Sequence, residues 1–420
     1  MKKILSILAV LTLATACIYP YQPDLEDAPE GVLVVDGNLV IGEKSTVRIG
    51  YMTSLWPKSN GQNSGEWQLF STRASVSGNA VHVWAEDDAG GRYEGVWNSG
   101  NLDPYASAYY YYYASAYSTY TIDLENAPAD RGYRLCVSAD GKEYTSDMIT
   151  PLTPPVIKNI TFKASKVTDK AEVTASVSLE GGPDATGYVL LSFDETWRFH
   201  ADYYPEFEYD PRTNSVDERI DTWTRYWCWK HVDNNRLIPV DFTGMTTATL
   251  KDYPFHSFSR YDNRNHHRYS LLLKARTVDK ITYEYLSHLE ESSMSGDNLF
   301  SPNPGEIAGN LRCETDPDQM VLGYVTVTRI ASRRVYIGSQ YYVQPYLSPY
   351  SLAYPPQYPK VPGGTCYRDF YEMGYQPLIK NTLPEAAEND DLGPYGWGPA
   401  NCYDCIAAGG FQEKPDFWEE

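Results

Sequence analysis

The side chains best suited to chemistry gather around Asp194-Glu195-Thr-Trp197, with Asp202, Glu206 and Glu208 close behind. Two carboxyl groups beside an aromatic ring are the equipment of glycoside hydrolysis, where their separation sets the stereochemical course. His266-His267 follows an Asn/Arg-rich loop and could hold a metal or ligand, and Asp87, Asp88 and Glu94 could line a calcium loop. Each pattern is thin. Adjacent residues on one strand point to opposite faces, which argues against joint ligation by the two histidines. The three acidic positions lack EF-hand spacing. With 55 acidic residues in 420, carboxylate clusters arise without function, so solvated carboxylates are the expected reading. No nucleophile elbow, phosphate-binding loop or His-Glu-x-x-His pair is present. The expectation is a chain with no catalytic residue, no metal ligand and no cofactor, and therefore not an enzyme.

Cysteine and tyrosine carry the other signals. Beyond Cys17 the chain holds Cys136, Cys228, Cys313, Cys366, Cys402 and Cys405. Cys402-Tyr-Asp-Cys405 has the spacing of a metal knuckle, but no second pair completes four ligands, so disulfide use is expected. Six cysteines permit about fifteen full pairings, and spacing alone does not choose among them. Tyrosine is in excess at 37 residues, and Tyr109, Tyr110, Tyr111, Tyr112 and Tyr113 run unbroken through a Ser/Ala/Thr-rich segment. On a strand, alternate members of such a run face opposite sides. Half of them would then meet solvent or a partner, where tyrosine offers rigid apolar area with a polar tip. The competing reading is a hairpin whose tyrosines pack on one another.

The N-terminus bears on the compartment. Met1-Lys2-Lys3 precedes the apolar run Ile4–Ala16, which is too short to span a bilayer and has the form of a signal-peptide core. It ends Leu13-Ala-Thr-Ala-Cys17, small residues leading into a cysteine, which resembles a bacterial lipoprotein signal with Cys17 as the lipidated residue. Several buried acyl chains would anchor the chain stably. A formal charge of −20 repels phosphate backbones and anionic lipid, which excludes nucleic acid as a general partner.

The body of the chain reads as strands. Val81–Glu86 and Tyr93–Trp97 form one expected hairpin, and Tyr133–Val137 and Tyr144–Ile149 another, turning at Ala139-Asp-Gly-Lys142. Thr150-Pro-Leu-Thr-Pro-Pro155 is the expected boundary, since tandem prolines cannot pair inside a sheet. Glu172–Leu179, Gly187–Phe193, Met320–Val327 and Arg334–Ile337 continue as strands. Asp279 is an expected N-cap for an amphipathic helix over 280–291, with Ile281, Tyr285, Leu286 and Leu289 on its sheet-facing side. The fold class is therefore mainly β: two immunoglobulin- or fibronectin-like sandwiches, one short helix and an irregular Cys/Tyr/Pro-rich extension. The expected divisions are signal peptide 1–16, tether 17–31, first sandwich 32–150, second sandwich 156–343 and a disulfide-stapled extension 344–420.

An ordered set of short motifs gives a resemblance. It comprises Leu33-Val-Val-Asp-Gly37, Asp140-Gly-Lys-Glu-Tyr-Thr-Ser146, Glu195-Thr-Trp197, Cys228-Trp229, Tyr269-Ser-Leu271 and Tyr283-Glu-Tyr285. It continues with Leu299-Phe-Ser-Pro-Asn-Pro304, Gly309-Asn310, Val321-Leu-Gly-Tyr324, Cys402–Cys405, Gly409-Gly410 and Pro415-Asp-Phe-Trp418. Together these resemble Bacteroidota outer-membrane lipoproteins grouped as domain of unknown function 4249. The resemblance implies an accessory lipoprotein beside a TonB-dependent receptor, anchored in the outer membrane and facing the cell surface, and it supplies no catalytic residue. Alongside it, Cys228 is expected to pair with Cys313, and Cys366 with Cys402 or Cys405. The expected function is capture of a glycan or peptide ligand for nutrient uptake. The alternatives are a structural, assembly or adhesion role in an envelope complex and, third, an envelope glycan hydrolase.

Overall fold

Period-two alternation of apolar residues builds most of this molecule. The computed structural model describes residues 32–51, 81–98, 118–165, 171–181, 187–244, 249–294, 309–343, 351–383 and 392–419. Cys17, the tether and Tyr109–Tyr113 lie outside the described residues. The chain opens with β1 (Leu33–Val40), β2 (Lys44–Tyr51), β3 (Val81–Asp87), β4 (Arg92–Trp97), β5 (Ser118–Asp123), β6 (Tyr133–Ala139) and β7 (Lys142–Ser146). Next come β8 (Val156–Ala164), β9 (Glu172–Glu180), β10 (Tyr188–His200), the hairpin β11 (Phe207–Asp210) and β12 (Ser215–Glu218), β13 (Trp227–Asp241), β14 (Thr249–Ser259) and β15 (Arg268–Thr277). After the helix α1 (Lys280–Met294) follow β16 (Leu311–Cys313), β17 (Val321–Thr328) and β18 (Ala331–Gly338). The C-terminal part holds α2 (Tyr367–Glu372), β19 (Tyr375–Lys380), β20 (Tyr395–Pro399) and α3 (Ala400–Tyr403).

The first unit is one nine-stranded sheet in the order β16-β7-β6-β3-β4-β5-β2-β1-β17. Leu33, Val35 and Leu39 of β1 share its core with Val47, Ile49, Leu135, Val137 and Val325. Its two end strands come together at a seam. Asn310, just before β16, donates from Nδ2 to the Val325 carbonyl and accepts the Val325 N–H at Oδ1, each at 2.8 Å. Close approach at this seam depends on glycine. A Cβ on Gly309 would stand 2.0 Å from the Gly323 carbonyl oxygen, and one on Gly323, at φ +118°, 1.8 Å from that of Val35. The β6–β7 hairpin turns on Asp140 and Gly141, both at positive φ, as a two-residue turn matched to strand twist requires.

Residues 150–155 then lead into the second unit, a sandwich of β14-β9-β8 and β13-β10-β15-β18. Val173, Val177 and Leu179 from one layer and Leu191, Phe193, Phe199, Leu271 and Leu273 from the other fill a common core. The chain does not stay there through residue 343. It returns to the first sheet for β16 and β17, where β17 pairs in parallel with β1, and only then supplies β18 to the second. A buried strand reads the same to its sequence whichever sheet receives it, so alternation located this strand without assigning its neighbour.

Two further expectations are corrected. The helix is capped as read, with Asp279 Oδ1 accepting the Thr282 N–H at 2.7 Å, but Ile281 is 72% exposed. Tyrosines seat the helix: Tyr285, as expected, stacks on Tyr324, and Tyr283, which the spacing passed over, packs on Tyr188, at 4.1 and 4.9 Å between ring centroids. The extension is not wholly irregular. Strands β19 and β20 pair, and Tyr367 and Trp397 form a small aromatic core with Tyr209 of β11.

Candidate functional site

Glu195 lies on the core-facing side of β10 and is 3% exposed. Its carboxylate accepts from His256 Nε2 at 2.9 Å, Tyr269 Oη at 2.8 Å and an Arg264 guanidinium N–H at 3.1 Å. These partners come from β14, β15 and the 3-10 turn Asn263–Asn265, so one carboxylate ties both layers of the sandwich to a loop. Burial opposes its charge, but the hydrogen bond and charge of His256, with Arg264 and Tyr269, hold its pKa below the usual carboxylate value. A general acid requires the reverse shift. Its neighbour Asp194 points the other way and pairs with Lys274 at 2.6 Å, so the adjacent carboxyls do not form a catalytic couple.

The remaining sequence candidates disperse. Asp202, Glu206 and Glu208 are exposed. Asp87 is buried, but it accepts the Ala89 and Gly91 N–H groups and pairs with Arg131, while Asp88 accepts the Gly132 N–H. Glu94 pairs with Arg92. These acidic groups organise a turn, and no metal-holding group of His, Cys, Asp or Glu occurs among the described residues. His266 packs on His200 at 3.6 Å between centroids, whereas His267 turns toward Trp227. Burial and the neighbouring histidines push the His266 pKa down to about 4.

The expected cysteine pairings are overturned. Cys228 of β13 bonds to Cys405, with 5.7 Å between their Cα atoms. Cys313 sits in the core of the first unit and cannot reach Cys228 in the second, and Cys313, Cys366, Cys402 and Cys136 remain thiols. The C-terminal segment is laid along β13, where Trp229 and Phe411 exchange backbone hydrogen bonds at 2.8 Å, and this delivers Cys405 to Cys228. Gly410 allows the approach, since a Cβ there would lie 2.6 Å from Cys228 Cβ.

Sequence reasoning missed the most site-like feature, a cavity of about 640 Å³ between the two units. Outward-facing residues of β1, β2 and β17, including Asn38, Thr46, Thr326 and Thr328, form one wall. Ser192 and Asp194 of β10, Asn234 of β13 and Lys274 and Arg276 of β15 form the other, while Tyr285, Leu286 and Leu289 of α1 add an apolar side. Asn38 Oδ1 accepts from Thr326 at 2.7 Å and Thr328 at 3.2 Å, which orders the first wall. Arg276 lies deepest in charge terms. It is 8% exposed, its Nε has no hydrogen-bond partner, and one terminal N–H reaches Ser192 Oγ at 3.4 Å. The one available signal was the polar alternation Lys274-x-Arg276 inside an otherwise apolar strand. Among the described residues no helix is long and apolar enough to cross a membrane.

The model of the family described as Domain of unknown function (DUF4249) matches residues 18–334. None of the curated proteins matches the chain.

Proposed function

Because the chain belongs to the DUF4249 family, whose description carries no activity, we propose a function from the molecule itself: ligand capture without catalysis, by a lipoprotein serving a TonB-dependent receptor. The cavity between the two units carries this reading. Its walls come from separate sheets, its lining mixes hydroxyl, amide and charged groups with one apolar side, and its volume falls in the roughly 300–1,000 Å³ of small-molecule sites. The Leu-Ala-Thr-Ala-Cys17 sequence supports lipid anchoring in the outer membrane of a member of the Bacteroidota, and the acidic residues Asp24, Glu26 and Asp27 that follow it, which resemble a surface-export signal, support presentation at the cell surface. Glu195, held ionised in the core, supports binding over hydrolysis.

Affinity purification of the tagged protein from membranes tests the assignment. A TonB-dependent receptor is expected to co-purify, and deletion of the lipoprotein to slow uptake of the receptor's nutrient. Absence of the receptor together with unchanged uptake overturns it, and recovery of assembly machinery or a host protein instead identifies a structural or adhesive role.

A further inference from the structure

We infer that the cavity between the two units takes a sugar acid, with the ligand's carboxylate on Arg276 and its hydroxylated body against the β1, β2 and β17 wall; the inference rests on the ligand-capture reading. Four cations line the cavity, but three are engaged: Lys274 with Asp194, Arg48 with Asp36 at 3.8 Å, and Lys44 with Glu125 at 3.8 Å. Arg276 makes no ion pair among the described residues, and the exposed Glu43 acts on it only through its field. A guanidinium stays charged at any ordinary pH, and a buried, unpaired one is costly, so the position is built for an anion that arrives from outside.

The count of free cations selects the anion. One guanidinium balances one carboxylate and pairs with it bidentately, whereas a phosphate dianion would leave one of its charges unbalanced near Asp36, Glu43 and Asp194. The rest of the lining selects the body that carries it. Ser192, Asn234, Thr46, Thr326 and Thr328 present neutral donors and acceptors suited to hydroxyl groups. Beside them the Tyr285 ring, stacked on Tyr324, offers a flat apolar surface for the carbon face of a pyranose. An acidic peptide would bring several carboxylates to a single free cation in a protein of net charge −20.

Calorimetric titration of the purified full chain with galacturonate tests this, with galactose, inorganic phosphate and triglutamate as comparison probes. Galacturonate is expected to bind, and Arg276→Met to weaken it by roughly thirty-fold, the loss typical of a hydrogen-bonded charged pair. Arg276 is buried, so Glu43→Gln provides the complementary variant at an exposed position. Removing that competing carboxylate is expected to tighten binding severalfold without loss of fold. No galacturonate binding, equal binding of galactose, tighter binding of phosphate or triglutamate, or indifference to both substitutions overturns the inference. A receptor that co-purifies while galacturonate fails removes the ligand class alone. Binding of galacturonate with no receptor in the membrane fraction removes the transport role alone.

Discussion

Glu195 shows how differently one residue reads at two levels. In the sequence it is the most catalytic-looking carboxyl; in the fold it is a buried anion with three donors from three different segments. Removing one partner of such a network leaves the others buried and uncompensated. Glu195→Gln is expected to cost about 3 kcal/mol in urea unfolding and to leave activity on a glycan panel unchanged from wild type. A selective loss of glycan cleavage at full stability would reinstate the hydrolase. His266 gives a pH dependence whose sign is fixed. The unfolded histidine takes its proton near pH 6.5 and the folded one near 4, so across that window the unfolded chain binds the extra proton. Stability is therefore intact above about pH 6.5 and falls as the pH drops toward 4, and Glu195, also depressed in the fold, adds loss in the same direction at its acid end. Thermal melts across this range are expected to show a shallower decline for His266→Gln. Neither environment was legible beforehand, because composition near a residue in sequence does not say which groups the sheets bring to it.

At the scale of elements, much more was readable. The β3–β4 and β6–β7 hairpins, the Asp140-Gly141 turn and the Asp279 cap all follow from local rules, since each depends on neighbours within a few residues. On the helix, apolar spacing placed Tyr285 correctly, on Tyr324, but misplaced Ile281 in solvent and passed over Tyr283, whose large ring packs on Tyr188. The disulfide was misassigned because it depends on a C-terminal segment docking along β13, which no local pattern encodes. Gly309-Asn310 and Gly323-Tyr324 were visible as motifs but not as a joint. Their geometry now gives a reason for the residue types: two glycines let backbones touch, and one amide completes the hydrogen bonding. Gly323→Ala would force a Cβ into the Val35 carbonyl at a left-handed φ. It is expected to cost about 3–4 kcal/mol, measured by denaturant unfolding, whereas Gly141→Ala, which meets no atom within 4 Å, is expected to cost only about 1 kcal/mol. Equal losses at both sites would show that the seam is not closely packed in solution.

At the scale of the molecule, the cavity exists because the chain crosses between the units more than once. It leaves the first through residues 150–155, comes back for β16 and β17, and leaves again through the two residues between β17 and β18. The first unit is thus closed by strands that follow most of the second in sequence. A chain ending at residue 155 lacks β17 and the Asn310 seam, and is expected to give no cooperative unfolding transition, whereas a chain continued through residue 419 does. Circular dichroism melts of the two would decide it, and a sharp transition in the shorter chain would make the first unit autonomous. The parallel pairing of β1 with β17 also sets a timetable. A chain emerging from its N-terminus presents β1 early and can pair it with β2 at once, yet its parallel partner is not complete until residue 328 has appeared. Throughout that interval β1 offers an open, apolar hydrogen-bonding edge of the kind that recruits wrong strands. The order of synthesis thus leaves one edge of the first strand unguarded until most of the chain has been made.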